Sequence, residues 1–325
     1  MTEDLHGRKI THCPRCRAEA STEGLYCGVC GAHLQIATAD DPLVGTIMAS
    51  RYRLVSRVSN SPLATVYRGE HIGMGKQVAV KVIPRVESDD ADFANRFLEE
   101  FRRVSALSSV HTAVHLDFGQ TEDGTTYTIT EFIRGNDLSA MVRQFGPFAP
   151  VRALSLLAQV CMSLAEANDY GIVHGRLKPE NIVVTRTHEG QDFVKVLDYG
   201  YARLAEVRDE RSLSTAHRLQ GSPHCMSPEQ VMGKRLDGRA DVYSVGTLLY
   251  WMITGGHMFT ARNPVGVLKQ HLSSTPPAPS TKRPQVYIPP SVDQLVLSCV
   301  AKDPQQRPLT AEDLRAEMLH IAASL

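Results

Sequence analysis

Cys13-Pro-Arg-Cys16 and Cys27-Gly-Val-Cys30 place four thiols in two C-x-x-C hooks separated by ten residues. Each hook is short enough for two thiolates to turn onto one ion, and four sulfurs close a tetrahedron around Zn2+. Gly28 and Gly31 permit the tight turn that lets amide groups approach the sulfurs, and His12 or His33 could replace a cysteine without changing the chemistry. Two redox dithiols are the competing use of the same residues, but the segment lacks the strand and helix pattern of a thioredoxin-like unit. A closed four-sulfur site has no open position for catalysis, so the zinc is structural and supplies folding energy that so short a core cannot. Cys161, Cys225 and Cys299 stand apart from the cluster, which argues against a secreted disulfide framework.

The chain around this cluster has 325 residues, 42% of them hydrophobic, enough to bury a sizeable core in about two domains. Lysine plus arginine number 35 and aspartate plus glutamate 35, so the zero net charge offers no general attraction to phosphate backbones or anionic lipid. The first residues hold no apolar stretch for a signal peptide. The most apolar later run, Val242 to Ile253, is shorter than the roughly 18 residues that a membrane helix needs. A soluble, cytoplasmic protein without a membrane segment is expected. Within residues 1–36, Arg8, Lys9, Arg15 and Arg17 are balanced by Glu3, Asp4, Glu19 and Glu23, so this segment is expected to contact protein rather than nucleic acid.

Residues 37–50, with Asp40-Asp41-Pro42 and Gly45, have no clear period and read as a linker. From Tyr52 to Glu70 and from Gln77 to Ile83, alternating and β-branched residues predict strands, joined by a turn over His71 to Gly75. Asp90 to Leu107 carries Phe93, Phe97, Phe101 and Val104 at helical spacing with charges between them, which predicts one amphipathic helix beside a sheet. Two further strands are expected over Val114–Gly119 and Thr125–Ile133. After Gly135 the pattern turns helical: Leu154, Leu157, Cys161 and Leu164 share a face, and Tyr243 to Ile253 is apolar nearly all round, hence buried. Ser273 to Pro290 is rich in proline and is expected to form a long surface loop before a helix over Val292–Val300.

These elements carry Val78-Ala79-Val80-Lys81, Glu100, His174-Gly175-Arg176-Leu177-Lys178-Pro179-Glu180-Asn181, Asp198-Tyr199-Gly200, Ser227-Pro228-Glu229, Asp241 through Gly246, and Asp303-Pro304 with Arg307-Pro308. In that order and spacing, residues 51–325 resemble a bacterial-type serine/threonine protein kinase domain. Residues 1–36 resemble the small zinc ribbons fused to bacterial regulatory proteins. The resemblance implies an α+β, bilobal protein-kinase-like fold behind the ribbon. A small antiparallel-sheet lobe with one helix would cover about 51–134, and a larger helical lobe about 135–325. It also implies ATP with Mg2+ as the ligand pair. Lys81 would pair with the nucleotide phosphates and Glu100 would orient it. Val66, Ala79 and the gatekeeper Thr130 would line the nucleotide pocket, and Asn181 and Asp198 would hold magnesium through hard oxygens. Glu229 with Arg307 would form a buried brace, and Asp241 would anchor the catalytic loop.

Two departures from the family pattern bear on chemistry. Family members read H-R-D where this chain reads His174-Gly175-Arg176, so Arg176 stands at the catalytic-base position. A guanidinium has five donors and no acceptor and stays charged, so it cannot take a proton from a substrate hydroxyl. Gly175 also lacks the arginine that in many relatives pairs with a phosphorylated activation segment, which makes control through Ser212, Ser214, Thr215 or Ser222 less expected. The glycines of the phosphate-covering G-x-G-x-x-G-x-V loop fall on Ser59, Ser61 and Ala64, with Pro62 between the last two. Side chains there restrict the backbone's approach to phosphate and Pro62 removes an amide donor, so nucleotide grip is expected to be weaker. Together these losses make a pseudokinase the expected function, a scaffold or nucleotide-sensitive switch that binds other signalling proteins. The alternative is a weakly active serine/threonine kinase in which Lys178, near the transferred phosphate, carries more of the charge stabilisation.

Overall fold

The computed structural model describes residues 2–3, 9–12, 19–21, 41–60, 64–83, 91–202 and 222–325. The expected zinc ligands Cys13, Cys16, Cys27 and Cys30 lie outside these residues, as do Ser61, Pro62, Ser212, Ser214 and Thr215. Of the N-terminal segment, β1 (Thr2–Glu3), β2 (Lys9–His12) and β3 (Glu19–Ser21) form a three-stranded antiparallel sheet in that order. In that sheet His12 pairs with Glu19.

The chain divides into two compact units, Met1–Glu99 with Val114–Ile133, and Glu100–Ala113 with Arg134–Leu325. In the first unit β4 (Ile47–Met48), β5 (Tyr52–Asn60), β6 (Thr65–His71), β7 (Lys76–Ile83), β8 (His115–Gln120) and β9 (Thr126–Glu131) make a six-stranded antiparallel sheet. Its order is β4-β5-β6-β7-β9-β8. Strand alternation divides β7 cleanly. Val78, Val80 and Val82 are buried with Leu54, Tyr67, Tyr127 and Ile129, which leaves Ala79 and Lys81 on the opposite face.

Residues 41–50 depart from the expected linker. β4 pairs with the start of β5, and Met48 is buried in the sheet's core with Leu43 and Val44 packed against it. Asp41 accepts hydrogen bonds from the Tyr67 hydroxyl at 3.2 Å and from Arg57 at 3.3 Å. The segment has no period because it is held by single side chains and a two-residue strand, too short for alternation to register.

The expected helix forms as α1 (Ala91–Val104). Its C-terminal half, with residues 100–113, clusters with the second unit rather than with a lobe ending near 134, because Val104 and Leu107 belong to the helical core. That core is built from α2 (Leu138–Phe145), α3 (Pro150–Asp169), α4 (Pro228–Val231), α5 (Gly238–Thr254), α6 (Pro264–Ser273), α7 (Pro279–Lys282), α8 (Pro290–Cys299) and α9 (Ala311–Ala323). A small antiparallel sheet of β10 (Asn136–Asp137), β11 (Ile182–Arg186) and β12 (Asp192–Val196) accompanies them. α5 is buried on all sides, as its apolar run predicts. At Gly246 an added Cβ would lie 2.5 Å from the Cβ of Cys299, so this glycine sets how closely α5 and α8 approach. The proline-rich stretch before α8 is not all loop. Pro279 starts the single turn of α7, and the backbone N–H and hydroxyl of Ser280 both donate to Asp293 of α8. No helix among the described residues is long and apolar enough to cross a membrane.

Glu229 and Arg307 form the expected buried pair, bidentate at 2.6 and 2.9 Å. The guanidinium also donates to the carbonyls of Arg239, Ala301 and Lys302 and lies over the Tyr243 ring. Every donor of that charge is thereby used, the condition under which a buried ion is tolerated.

Five histidines of this unit are held neutral by burial. It pushes His174 and His257 down to about 4 and His271 to about 3, and it lowers His111 and His224. An unfolded imidazole titrates near about 6.5, so below that pH the unfolded chain takes up protons that the folded one refuses. The stability these neutral imidazoles contribute is therefore full above about pH 6.5 and is lost progressively towards about pH 4. A urea midpoint clearly lower at about pH 5 than at about pH 7.5 is expected, and equal midpoints would contradict this account.

Candidate functional site

In the first unit the sheet register brings several of the sequence-predicted nucleotide residues onto one face. Lys81 lies opposite Val66 on one side and Thr128 on the other, and Ala79 lies opposite Thr130. Directly opposed residues in an antiparallel sheet project the same way, so Val66, Ala79, Lys81 and Thr130 share the face turned away from the sheet's apolar core. Thr128 belongs to this set and was not predicted, because one threonine among Thr125, Thr126, Thr128 and Thr130 carries no signal until the register is known.

At the phosphate-covering loop, Ser59 pairs with Val66 in the β5–β6 ladder, and Ala64 is buried. The hairpin is tied by the Thr65 hydroxyl donating to Asn60 at 2.9 Å. Two of the three positions where family members have glycine are thus taken by a strand residue and a buried methyl group.

In the second unit the catalytic-loop residues close a hydrogen-bonded ring. Asp241, in the first turn of α5, accepts the N–H groups of His174 and Gly175, each at 2.8 Å, one per carboxylate oxygen. Gly175 needs its left-handed φ of +62°, and a Cβ there would come within 2.8 Å of Ala202. The Arg176 N–H donates to Nδ1 of His174 at 3.2 Å, which leaves the proton on Nε2 to be donated to the Leu197 carbonyl at 2.8 Å. The Asn181 carboxamide donates to the Arg176 carbonyl at 3.1 Å, and the Asn181 carbonyl accepts from Leu197 N–H at 2.8 Å. Arg176, Asn181 and Asp198, next to Leu197, are thereby gathered in one corner, and the backbone of Lys178 joins it by accepting from Asn181 N–H. Asp198 itself sits at φ +68°, in the left-handed region that few non-glycine residues adopt.

Glu100, placed with this unit, is buried and accepts a hydrogen bond from Arg103 at 3.0 Å. Lys81 belongs to the first unit.

The aromatic after Asp198 has its own anchorage. The Tyr199 ring is fully buried edge-on to His174 at 4.7 Å, and its hydroxyl meets Ser163 at 2.7 Å, which in turn meets Thr112 at 2.6 Å. Gly200, at φ +88°, lets the chain pass close to Val104 and Phe101, and Tyr201 packs edge-on against Phe101 at 5.1 Å. Ser163 and Thr112 were not predicted. The signal for them was the hydroxyl of Tyr199, which must find a partner once buried.

The oxygens of Asn181 and Asp198 suit magnesium, a hard cation held by one or two carboxylates together with substrate phosphates. The charge beside them does not. Arg176 is half-buried, and the Asp198 carboxylate is the main charge acting on its guanidinium, so a fixed positive charge acts where the metal's charge would. Burial lowers the guanidinium's affinity for its proton, with Asp198 and Tyr201 opposing that, and the group stays charged. No group of three or more metal-ligating side chains occurs among the described residues.

Replacing Tyr199 with Phe keeps the buried ring and removes only the end of the hydroxyl chain. A loss of about 1 kcal/mol is expected for Tyr199→Phe by denaturant unfolding, and an unchanged stability would mean that the chain contributes nothing.

Residues 53–319 match the protein kinase domain family. Among curated proteins, the chain is 35% identical over 279 residues to serine/threonine-protein kinase pkn3 of Myxococcus xanthus, covering 86% of this chain and 51% of that protein. It is 31% identical over 276 residues to serine/threonine-protein kinase PrkC of Bacillus subtilis, covering 85% of this chain and 41% of that protein. The chain therefore corresponds to about half, or less, of the length of these relatives. Among solved structures, the kinase domain of Mycobacterium tuberculosis PknI superposes with a TM-score of 0.64 at 21% identity, covering 85% of this chain and 97% of that one. A match across most of the chain, with the catalytic-loop ring and the buried Glu229–Arg307 pair in place, leaves one conclusion: the chain belongs to the protein kinase domain family.

Proposed function

We propose that this protein is a serine/threonine protein kinase of low turnover, transferring phosphate from ATP to protein hydroxyls. The observation that carries this reading is its kinship over more than four-fifths of its length with serine/threonine kinases, matched by a catalytic loop whose backbone ring is complete. By the family resemblance, Lys81, Val66, Ala79 and Thr130 would be the nucleotide-holding residues of the sheet unit, and Asn181 with Asp198 the magnesium-holding residues of the helical unit. Phosphoryl transfer depends mainly on positioning and charge stabilisation, so losing the proton acceptor at position 176 slows transfer without abolishing it, by about 10²- to 10⁴-fold. Lys178 would then carry a larger share of the charge on the transferred group.

A second reading is favoured by one observation, the half-buried guanidinium at the position of the base. In it the chain is a pseudokinase that binds signalling proteins as a scaffold or nucleotide-sensitive switch. In both readings residues 1–36 form a zinc ribbon that docks protein partners, ahead of a kinase domain over 51–325.

Phosphotransfer from radiolabelled ATP to the protein itself and to a generic basic substrate separates the two. Slow transfer by the wild type, loss in Lys81→Ala and a gain of about 10²-fold or more in Arg176→Asp are expected of the kinase. Silence from all three would establish the pseudokinase. For the ribbon, elemental analysis of the purified chain should find about one zinc per molecule, lost in Cys13→Ser with Cys27→Ser, and a zinc-free wild type would refute it.

A further inference from the structure

The corner made by Arg176, Asn181 and Asp198 combines intact metal ligands with a resident cation, and this combination constrains what it can bind. Both main-chain groups of Arg176 are committed, the N–H to His174 and the carbonyl to Asn181. Its main chain is therefore set by the same ring that sets Asn181 and Leu197, the residue before Asp198, and Asp198 is the charge acting most on its guanidinium. Relative to the family aspartate, the local charge changes by two units, from one anion to one cation. A divalent cation brought to Asp198 meets the positive charge of a guanidinium on which that carboxylate acts most strongly among charged groups, which opposes it. The oxygens of a triphosphate meet a planar fork of N–H donors, which suits them better than any other protein cation.

We propose that Arg176 stands in for magnesium, so that this chain binds a nucleoside triphosphate as the metal-free anion, with the guanidinium in place of the divalent cation at Asp198. The inference rests on the nucleotide-binding reading above and deepens it by naming the form of the ligand. In a site that needs the metal, magnesium and nucleotide strengthen each other's binding reciprocally. Here that coupling is lost, because the charge that magnesium would supply is part of the chain.

Calorimetric titration of ATP into the full chain tests this, with and without magnesium chloride. Divalent ions are removed from the buffer beforehand on a chelating resin, so that no soluble chelator strips zinc from the cysteine hooks. For the wild type, affinities within about threefold of each other in the two buffers are expected, against the coupling of roughly 5- to 150-fold typical of linked ligands. Arg176→Asp should restore dependence, binding about tenfold or more tightly with magnesium, and Arg176→Gln, which removes the charge with less disturbance, should move in the same direction. Wild-type affinity that falls about tenfold or more without magnesium overturns the inference and leaves the kinase reading standing. Binding by the variants alone also overturns it, with Arg176 then acting as a block. No binding by any of the three, with each shown to be folded by its melting transition, overturns both the inference and the nucleotide-binding reading.

Discussion

The catalytic loop of this protein hangs on one carboxylate. Asp241 is fully buried at the start of a buried helix, and each of its oxygens takes one main-chain N–H from consecutive residues, His174 and Gly175. Burial pushes its pKa up to about 7, while the two N–H groups and the positive end of α5 favour the charged form. By holding both N–H groups, the carboxylate fixes the chain direction through Gly175. The imidazole of His174 can then bridge Arg176 N–H and the Leu197 carbonyl. The positions of Asn181 and of Asp198 follow from that bridge. A single polar anchor in an apolar helix layer therefore determines the geometry of the corner where phosphate chemistry is done in this family.

That frame takes in position 176 through its main chain. Both hydrogen bonds that tie Arg176 into the ring use its main chain, so a guanidinium in place of a proton acceptor leaves those two bonds standing while it changes the local charge. Activity can be lost or redirected at this position with little structural penalty, whereas Gly175 and Asp241 have no such freedom. The same logic applies to Tyr199. Its ring position is set by the pocket beside His174, and the added hydroxyl is accommodated because Ser163 and Thr112 continue the chain of donors and acceptors into the α3 layer.

In the sheet unit, positioning is a matter of parity. Placing valines at 78, 80 and 82 against the apolar core forces Ala79 and Lys81 to the other face, and the antiparallel register with β6 and β9 adds Val66, Thr128 and Thr130 to them. A one-residue slip would reverse every one of these side chains, so burial of the valines is also what presents the lysine.

The sequence by itself determined the strands with their alternation, the buried helix around Tyr243, the family, and the chemical incapacity of Arg176 to accept a proton. Each of these is a local property, of period, of motif spacing or of functional-group chemistry. It also singled out Lys81, Glu100, Asn181 and Asp198 as candidate site residues, since motif order is legible without coordinates. The tertiary structure decided what depends on contacts between distant segments. It drew residues 41–50 into the sheet through Asp41 and Met48, joined residues 100–113 to the helical unit, turned Pro279–Lys282 into a helix and brought Thr112 and Ser163 to Tyr199. These segments have too few residues, or too ordinary ones, to show a pattern. Their structure comes from one or two partners that lie far away along the chain, and only folding brings those partners within hydrogen-bonding distance.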